Sequence, residues 1–257
     1  SSWAIDDLLS NLYPGRFTKV SPAAIELHAT FSLKTLSYQK LVMAPDKQSE
    51  HDFIPEGESG VLYLLDRGYV NVPKLERMTA LGGYYIVRSK TNCNPLITAV
   101  NGGSPFQNRS RVGKKFKHKP LKKGKDYDFQ VQMKAGDGQV YALRLVVLWN
   151  PKAKKHTGFL TNLPVEMVSC REIGQLYRLR WQIELSFKEL KSYSSLKRFQ
   201  TANEHAIEAF VMLSILAMQL RRHLVFCAEQ LTPAHRLSVH KAAISAHDFM
   251  PTFVKCM

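Results

Sequence analysis

The hydrophobic and polar positions of the first seventy residues predict a hairpin and a buried strand. Residues 24–33, AIELHATFSL, alternate apolar with polar side chains, as a half-buried strand does, and residues 41–44, LVMA, form a partner strand. Residues 60–69, GVLYLLDRGY, are a near-continuous apolar run that stops at a charged residue. This pattern is typical of a strand buried on both faces, with Asp66 emerging at its end.

The pattern changes twice along the rest of the chain. Residues 72–83 predict a helix closed by glycine and residues 84–90 predict a strand, so a right-handed parallel crossover is expected. Residues 91–163 are dotted with glycine and loaded with lysine, and they contain two strand-like runs joined at AGDGQ (135–139), where Asp-Gly signals a hairpin. From about residue 165 onward nearly every segment has a helical pattern.

This order of elements predicts an α/β protein whose mixed sheet with flanking helices is interrupted by a β-rich insertion. We expect the first part of the core at residues 1–90, the insertion with its basic loop at 91–163, and the helical completion of the core with C-terminal helices at 164–257.

The segment YRLRWQIELSFKELKS, residues 177–192, is predicted to be one helix with a polar seam beside an apolar face. At about 100° per residue, four polar side chains fall within an arc of about 60°. They are Tyr177, Arg180, Glu184 and Lys191. The neighbouring arc, which would face the sheet, contains Leu176, Leu179, Ile183, Phe187 and Leu190. A solvated face of ion pairs is the ordinary interpretation, but a carboxylate held between apolar flanks and cations is costly unless it binds something positive.

The charge of the chain points to a polyanionic partner. With 257 residues, of which 45% are hydrophobic, the chain is long enough to bury a core, and its formal net charge is +15 with a pI near 9.7. Phosphate-rich partners gain affinity when lysine and arginine displace their counterions, so nucleic acid is the first partner to consider.

Cysteine usage and hydropathy exclude several other classes. The four cysteines lie far apart with no Cys-x-x-Cys pair, which argues against a zinc ribbon and a disulfide framework. The longest apolar stretch, residues 209–220, is about half of what a bilayer requires, and the acidic opening SSWAIDD is not a signal peptide. We therefore expect a soluble protein of a reducing cytosol with no membrane partner.

The spacing Tyr-x2-Arg-x3-Glu-x6-Lys within residues 177–191 resembles the signature of the DDE transposases of bacterial insertion sequences, in particular the group named after insertion sequence four. The resemblance extends over residues 1–225 and is carried by several blocks in the family's order. They are PGRFTKVSPAAIELH (14–28), LLDRGY (64–69), GGYYIVRSKTNCNP (82–95), FLTNLP (159–164) and YRLRWQIELSFKELKSY (177–193).

The resemblance implies a ribonuclease-H-like core in which two aspartates and one glutamate hold two divalent metal ions, Mg²⁺ or Mn²⁺. By matching motifs, Asp66 is the second aspartate and Glu184 the glutamate, so both are expected to be catalytic metal ligands. Tyr177, Arg180 and Lys191 would contact DNA phosphate near the transferred end, with Arg180 able to bind bidentately and Lys191 acting as a point charge.

The implied reaction is strand cleavage and strand transfer at transposon ends. The implied partners are transposon ends and target DNA, bound by a homodimer in the bacterial cytosol, where the protein would be associated with the nucleoid.

Other residues carry weaker hypotheses. Arg88 and Lys90 end the strand after the Asp66 helix and either face DNA or are simply solvated. Trp181 either packs in the core, the more common role, or stacks on a displaced base. The nine lysines and arginines from Arg109 to Lys125, without one acid, either form a mobile soluble loop or contact the DNA backbone without reading sequence.

One carboxylate of the implied triad has no counterpart in the sequence. In the family, the first aspartate ends a strand just before a block like Asp-Gly-Ser-Ser-Phe, whereas this chain opens with Ser-Ser-Trp. Four other aspartates lie too far along the chain to replace it: Asp6, Asp7, Asp46 and Asp52. We therefore expect residues 1–257 to be a fragment that alone catalyses very little or nothing, and the strands at 24–33 and 60–66 to lack a common neighbour.

Two alternative functions stay open at this point. A non-catalytic DNA-binding remnant of a transposase would keep the positive charge without cutting DNA. A ribonuclease-H-like nuclease would use the same acidic site without strand transfer, and it would yield no joined product when a free 3′-hydroxyl end is supplied.

Overall fold

The computed structural model describes residues 2–17, 19–101, 109–193, 199 and 201–231. The chain divides into two compact units, one formed by Ser1–Gln48 with Gln182–Met257 and the other by Ser49–Trp181.

Nine strands and one α-helix occupy the described residues up to Thr161, and the regular elements after them are helical. The strands are β1 (Ser2–Ala4), β2 (Ala24–Ser32), β3 (Ser37–Pro45), β4 (Leu62–Leu65), β5 (Tyr84–Arg88), β6 (Leu96–Val100), β7 (Tyr127–Lys134), β8 (Val140–Asn150) and β9 (Lys155–Thr161). The α-helices are α1 (Val72–Ala80), α2 (Cys170–Arg178), α3 (Trp181–Tyr193) and α4 (Glu204–Leu231).

The first unit contains an antiparallel three-stranded sheet in the order β1-β2-β3. The alternating pattern of residues 24–33 therefore forms the predicted hairpin with the strand that includes residues 41–44. One side of α4 is buried in this unit at positions three or four residues apart, as an amphipathic helix requires. The buried positions are Ile207, Val211, Ile215, Met218 and Val225.

The second unit contains a six-stranded mixed sheet in the order β4-β5-β9-β8-β7-β6. Strands β4 and β5 are parallel, joined by α1, and the other neighbours are antiparallel. The parallel strand–helix–strand unit and the hairpin at residues 135–139 are thus confirmed. The β-rich segment predicted at 91–163 supplies β6 to β9 to the same sheet as β4 and β5, and the predicted domain boundaries stay a prediction.

Both faces of the six-stranded sheet are covered, because successive strand residues point to opposite sides. On one face Tyr85 and Val87 pack with α1, and on the other face Ile86 packs with α2. Helix α2 lies close to β8, where a Cβ added at Gly174 would come within 2.3 Å of the Leu148 side chain.

The sequence-predicted helix over residues 177–192 is wrong as a single element. Helix α2 ends at Arg178 and α3 begins at Trp181. In between, the Arg180 N–H donates to the Tyr177 carbonyl at 3.1 Å, a tight i to i−3 bond that ends the first helix. Leu179, predicted to face the sheet, is 44% exposed, because it lies at this break and not within a continuous buried face.

The mixed α/β class is confirmed, and the ribonuclease-H-like identity of the core stays a prediction. The predicted strands at 24–33 and 60–66 lie in different sheets. Among the helices that the structure describes, none is both long and apolar enough to cross a membrane.

Candidate active site

Asp66 lies directly after β4, at the position that the sequence predicts. It caps the short 3₁₀ turn Arg67–Tyr69, and its Oδ1 accepts a hydrogen bond from the Arg67 N–H at 2.8 Å. The side chain is 48% exposed, so the carboxylate remains accessible to solvent. The strand that carries it packs through Leu64 on one face of the sheet and through Leu65 on the other.

Tyr177 on α2 contacts Asp66 and the end of β4. Its hydroxyl donates to the Leu65 carbonyl at 3.2 Å and lies 3.5 Å from Asp66 Oδ1. Its ring packs against Phe159 with 4.8 Å between the centroids. Burial raises the pKa of Tyr177 to about 12, and the positive charge of Arg180 opposes this rise. The hydroxyl therefore stays protonated at neutral pH and acts as a hydrogen-bond donor.

Arg180 completes this group from the break between α2 and α3. Its Nη1 lies 3.9 Å from Asp66 Oδ2, and its guanidinium lies 5.6 Å from the centre of the Tyr177 ring. The side chain is only 16% exposed. A guanidinium held by a carboxylate and an aromatic face has little freedom to move, so its planar donors are presented in a fixed orientation.

Arg88, at the end of β5, adds a second cation. It follows Val87, which pairs with Leu65, so Arg88 and Asp66 leave neighbouring strands at the same level. Its charge also opposes the rise in the pKa of Tyr177. Its Nε is buried and has no hydrogen-bond partner within the described residues. A buried donor without a partner is costly, and an anionic oxygen would satisfy it. Asp66, Tyr177, Arg180 and Arg88 thus form one cluster with more positive than negative charge, suited to a phosphate group.

Glu184 and Lys191 belong to the first unit. Glu184 lies in the first turn of α3 and is partly buried. Lys191 Nζ donates to the Ser2 carbonyl at 3.2 Å and lies 4.8 Å from the centre of the Trp3 ring. Burial lowers the pKa of Lys191 below its ordinary value. The predicted seam is therefore divided between the units, with Tyr177 in the second and Lys191 in the first.

Two of the weaker candidates lie elsewhere. Trp181, whose more common role was packing in the core, is 56% exposed, and that prediction is wrong because α3 begins there and turns the indole outward. Lys90 lies beyond the end of β5 and lines a cleft of about 800 Å³.

The donor chemistry of Asp66 fits one position of a metal site. Mg²⁺ and Mn²⁺ prefer carboxylate oxygens, and each Asp66 oxygen can accept more bonds than the described contacts use. Within residues 2–17, 19–101, 109–193, 199 and 201–231, however, no three side chains of histidine, cysteine, aspartate or glutamate stand together in a group able to hold a metal ion. The described residues therefore supply no complete site of three such ligands.

A buried ion pair that sequence reasoning missed supports α2. Arg144 on β8 donates to both oxygens of Asp128, from Nε at 3.0 Å and from Nη2 at 2.6 Å. Its Nη1 donates to the carbonyls of Leu163 at 2.9 Å and Val168 at 2.8 Å, in the segment that leads into α2. The only signal in the sequence was a charged residue inside an otherwise apolar strand.

The FLTNLP block has a similar structural role. Asn162 Oδ1 accepts from the Tyr85 N–H at 2.9 Å, and its amide donates to the Gly83 carbonyl at 2.8 Å. Thr161 Oγ1 donates to the Tyr85 carbonyl at 2.6 Å. These bonds fasten the end of β9 to the start of β5, the strand that ends at Arg88.

Several known transposases are similar to this chain in sequence. The transposase for insertion sequence element IS231F of Bacillus thuringiensis subsp. israelensis is 25% identical over 87% of this chain and 54% of that protein. The IS231C transposase of B. thuringiensis subsp. berliner is 24% identical over 93% of this chain and 57% of that protein. A putative transposase InsL for element IS186A of Escherichia coli is 36% identical over 74 residues, 29% of this chain and 20% of that protein.

The chain spans about half the length of the IS231 transposases that it matches. The family model described as the transposase DDE domain matches residues 18–220, which include Asp66, Glu184 and the whole Tyr-Arg-Glu-Lys signature. A match over most of the chain shows the family: this protein belongs to the transposase DDE domain family.

Proposed function

We propose that the protein is the catalytic domain of a transposase that cleaves DNA strands and transfers them at transposon ends, with Asp66 and Glu184 as carboxylate ligands of divalent metal ions. The observation that supports this most is the half-exposed Asp66 carboxylate at the end of β4, with Tyr177 and Arg180 against it. A carboxylate in that environment can bind a cation while the cations beside it bind the phosphate of the same substrate.

Asp66 and Glu184 would hold Mg²⁺ or Mn²⁺, which when bound would supply activation of a water or a 3′-hydroxyl as the nucleophile and stabilisation of the leaving oxygen. The other residues of the cluster would mainly position the phosphate, since phosphoryl transfer depends on alignment and on charge. Arg180 would bind a non-bridging phosphate oxygen near the scissile bond, and Arg88 would offer its buried Nε to the same anion. Tyr177 would hold Arg180 in place through the face of its ring.

The fold proposal follows the same resemblance. We infer a ribonuclease-H-like core in which β4 carries Asp66 and α3 carries Glu184, and a homodimer that assembles on paired transposon ends. Lys191 and Trp181 are proposed to contact DNA near the transferred end, and the 56% exposure of Trp181 suits stacking on an unpaired base.

The test of this function measures metal binding as well as DNA cleavage, because metal binding can be detected even when cleavage is slow. Electron paramagnetic resonance of Mn²⁺ should show binding that weakens in Asp66→Ala and in Glu184→Ala. The exposed Glu166 provides the matched control, because Glu166→Ala removes the same charge from the second unit. Nicking of supercoiled plasmid in Mn²⁺ is measured on the same samples. Equal Mn²⁺ binding by all four proteins would contradict the proposed roles.

A second function is a DNA-binding protein without catalysis. The observations that favour it are the net charge of +15 and the lack, within the described residues, of a group of three metal-binding side chains. It predicts salt-sensitive DNA binding with neither Mn²⁺ binding at Asp66 nor nicking. A third function, a nuclease without strand transfer, predicts nicking but no joined product when DNA with a free 3′-hydroxyl end is supplied.

A further inference from the structure

Residues 109–125, which carry nine lysines and arginines and no acid, form an ordered loop along β6, the last strand of the six-stranded sheet. The Gly113 N–H donates to the Ile97 carbonyl at 2.8 Å, and the Ile97 N–H donates to the Lys114 carbonyl at 2.9 Å. The loop therefore runs beside β6 as a short antiparallel partner, and its backbone is fixed there.

A second set of contacts fixes the middle of the loop. The Phe116 N–H donates to the Pro95 carbonyl at 2.8 Å, and the Phe116 ring packs edge-on against Phe129 in the core with 6.3 Å between centroids. The Lys117 N–H donates to Asn94 Oδ1 at 2.8 Å. The loop's one phenylalanine is thus directed into the protein.

Arg111 anchors the far part of the loop from within. It is 5% exposed, and its two terminal nitrogens donate to the carbonyls of Lys119 at 2.7 Å and Pro120 at 2.6 Å. Its guanidinium lies over the Tyr127 ring at 5.5 Å, and the Tyr127 hydroxyl accepts from the Lys122 N–H at 2.8 Å. One arginine of the basic run is therefore structural and holds the surrounding lysines in place.

Seven lysines of this loop are exposed, and we call the six that precede Lys125 the basic ledge. They are Lys114, Lys115, Lys117, Lys119, Lys122 and Lys123. Within the described residues, none of the six forms an ion pair with a carboxylate. A fixed array of cations without neighbouring carboxylates repels itself and gains free energy when phosphates are placed on it.

The basic ledge continues into the cleft of about 800 Å³. Lys115 lines this cleft together with Lys90 and Lys134, and Asp137 is the one acidic side chain among its lining residues. Lys115 thus belongs both to the ledge and to the cleft, where Lys90 and Lys134 add two further positive charges.

We propose that the basic ledge is a preformed binding surface for the phosphate backbone of duplex DNA, separate from the Asp66 cluster. The choice of DNA as ligand rests on the proposed function, whereas the surface itself rests on the contacts above. Because the loop is already ordered, binding costs less conformational entropy than it would for a mobile loop of the same charge.

One feature of the loop favours a duplex over a single strand, and the order of strands separates this surface from the Asp66 cluster. Single-strand sites use exposed aromatic side chains for base stacking, and the loop contains no tyrosine or tryptophan, while its one phenylalanine, Phe116, is packed inward. Strands β4 and β6 are the first and the last of the sheet, five spacings of about 4.8 Å apart, so the ledge lies roughly 24 Å from the strand that leads to Asp66.

The test compares two variants of equal charge by fluorescence anisotropy of a labelled duplex over a range of salt, in the presence of a chelator. The ledge variant is Lys114→Gln/Lys117→Gln/Lys122→Gln. The control variant is Lys34→Gln/Lys40→Gln/Lys47→Gln, three exposed lysines of the first unit. Each removes three charges from +15 and leaves +12. Because no metal is present, the result is readable whether or not the chain cleaves DNA.

The ledge variant should lose about tenfold or more in affinity. The negative slope of log K against log salt should become shallower by about two to three. The control variant should change both quantities little. Equal losses in the two variants, or an unchanged slope in the ledge variant, would overturn the proposal. A loss confined to a single strand of the same length would show that the ligand is wrongly assigned.

Arg111→Met tests the preorganisation separately, since it leaves every ledge lysine in the sequence. Amide hydrogen exchange at Gly113 and Ile97 should become faster, and duplex affinity should fall severalfold. Faster exchange with unchanged affinity would show that the order of the loop contributes nothing to binding.

Discussion

Arg180 Nη1 lies 3.9 Å from Asp66 Oδ2, a distance that suits an ion pair and exceeds that of a direct hydrogen bond. The Arg180 guanidinium also lies 5.6 Å from the centre of the Tyr177 ring, and its positive charge opposes the rise in the pKa of the Tyr177 hydroxyl. The arginine is therefore oriented by its neighbours while part of its donor capacity points toward the half-exposed carboxylate. This geometry suits a residue that holds a phosphate beside an acid.

Replacing Arg180 should weaken DNA binding more than its charge alone accounts for. Arg180→Gln should reduce duplex affinity by about 2 kcal/mol, roughly thirtyfold, since charge-assisted hydrogen bonds are lost. The affinity of Arg180→Lys should fall between those of Arg180→Gln and the unchanged protein, because lysine keeps the charge and loses the planar fork. Arg178→Gln is the control, as Arg178 is exposed and two residues away. Equal effects at both positions, measured by anisotropy, would contradict a specific role.

The raised pKa of Tyr177 predicts a pH dependence of stability. The tyrosine ionises near pH 10 when unfolded and near about 12 when folded, so its contribution is complete below about pH 10 and is lost as the pH rises toward about 12. Tyr177→Phe should therefore flatten the fall in the free energy of unfolding over that interval by the equivalent of one proton. Urea denaturation at several alkaline pH values measures this. An unchanged slope would show that Tyr177 titrates normally.

Removing one partner of the Arg144–Asp128 pair should lower the free energy of unfolding far more than removing both. Arg144→Met leaves a buried carboxylate without its counter-ion, and the free energy of unfolding should drop by about 3–5 kcal/mol. Arg144→Met/Asp128→Leu should recover much of that loss, because no buried charge remains. A double-mutant cycle by chemical denaturation gives the coupling. Additive single effects would mean that the two side chains do not act as a unit.

The hairpin between β7 and β8 offers a matched pair of glycines. Gly138 has a φ of +83° and Gly136 does not have a positive φ, while an added Cβ at either position meets no atom within 4 Å. Gly138→Ala should therefore lower the free energy of unfolding by about 1 kcal/mol through backbone strain alone. Gly136→Ala should be neutral or slightly stabilising. Similar losses in thermal denaturation at both positions would show that strain is not the cause.

Patterns that act locally predicted much of the fold. The alternation in residues 24–33 reflects burial of one face of β2, and Asp137 before Gly138 supplies the turn chemistry that joins β7 to β8. The placement of Asp66 at the end of β4 followed from an apolar run that stops at a charge. In each of these places local preference and tertiary structure agree.

The break between α2 and α3 could not be predicted in the same way. Leu179 and Arg180 are both good helix formers, and no glycine or proline marks the end of α2. The break is stabilised by tertiary contacts of Arg180 with Asp66, a residue more than a hundred positions away. The same holds for Arg111, whose burial depends on the ring of Tyr127 and could not be distinguished by sequence from its exposed neighbours.

The backbone bonds between the loop at Gly113–Phe116 and the strand β6 have a consequence for solubility. A strand at the end of a sheet presents unpaired N–H and C=O groups that can recruit a strand from another molecule. Here the loop takes up the groups of Ile97 and surrounds them with like charges that repel a second copy. Shortening this loop would therefore do more than remove cations, because it would leave the outer strand open to intermolecular pairing and promote aggregation.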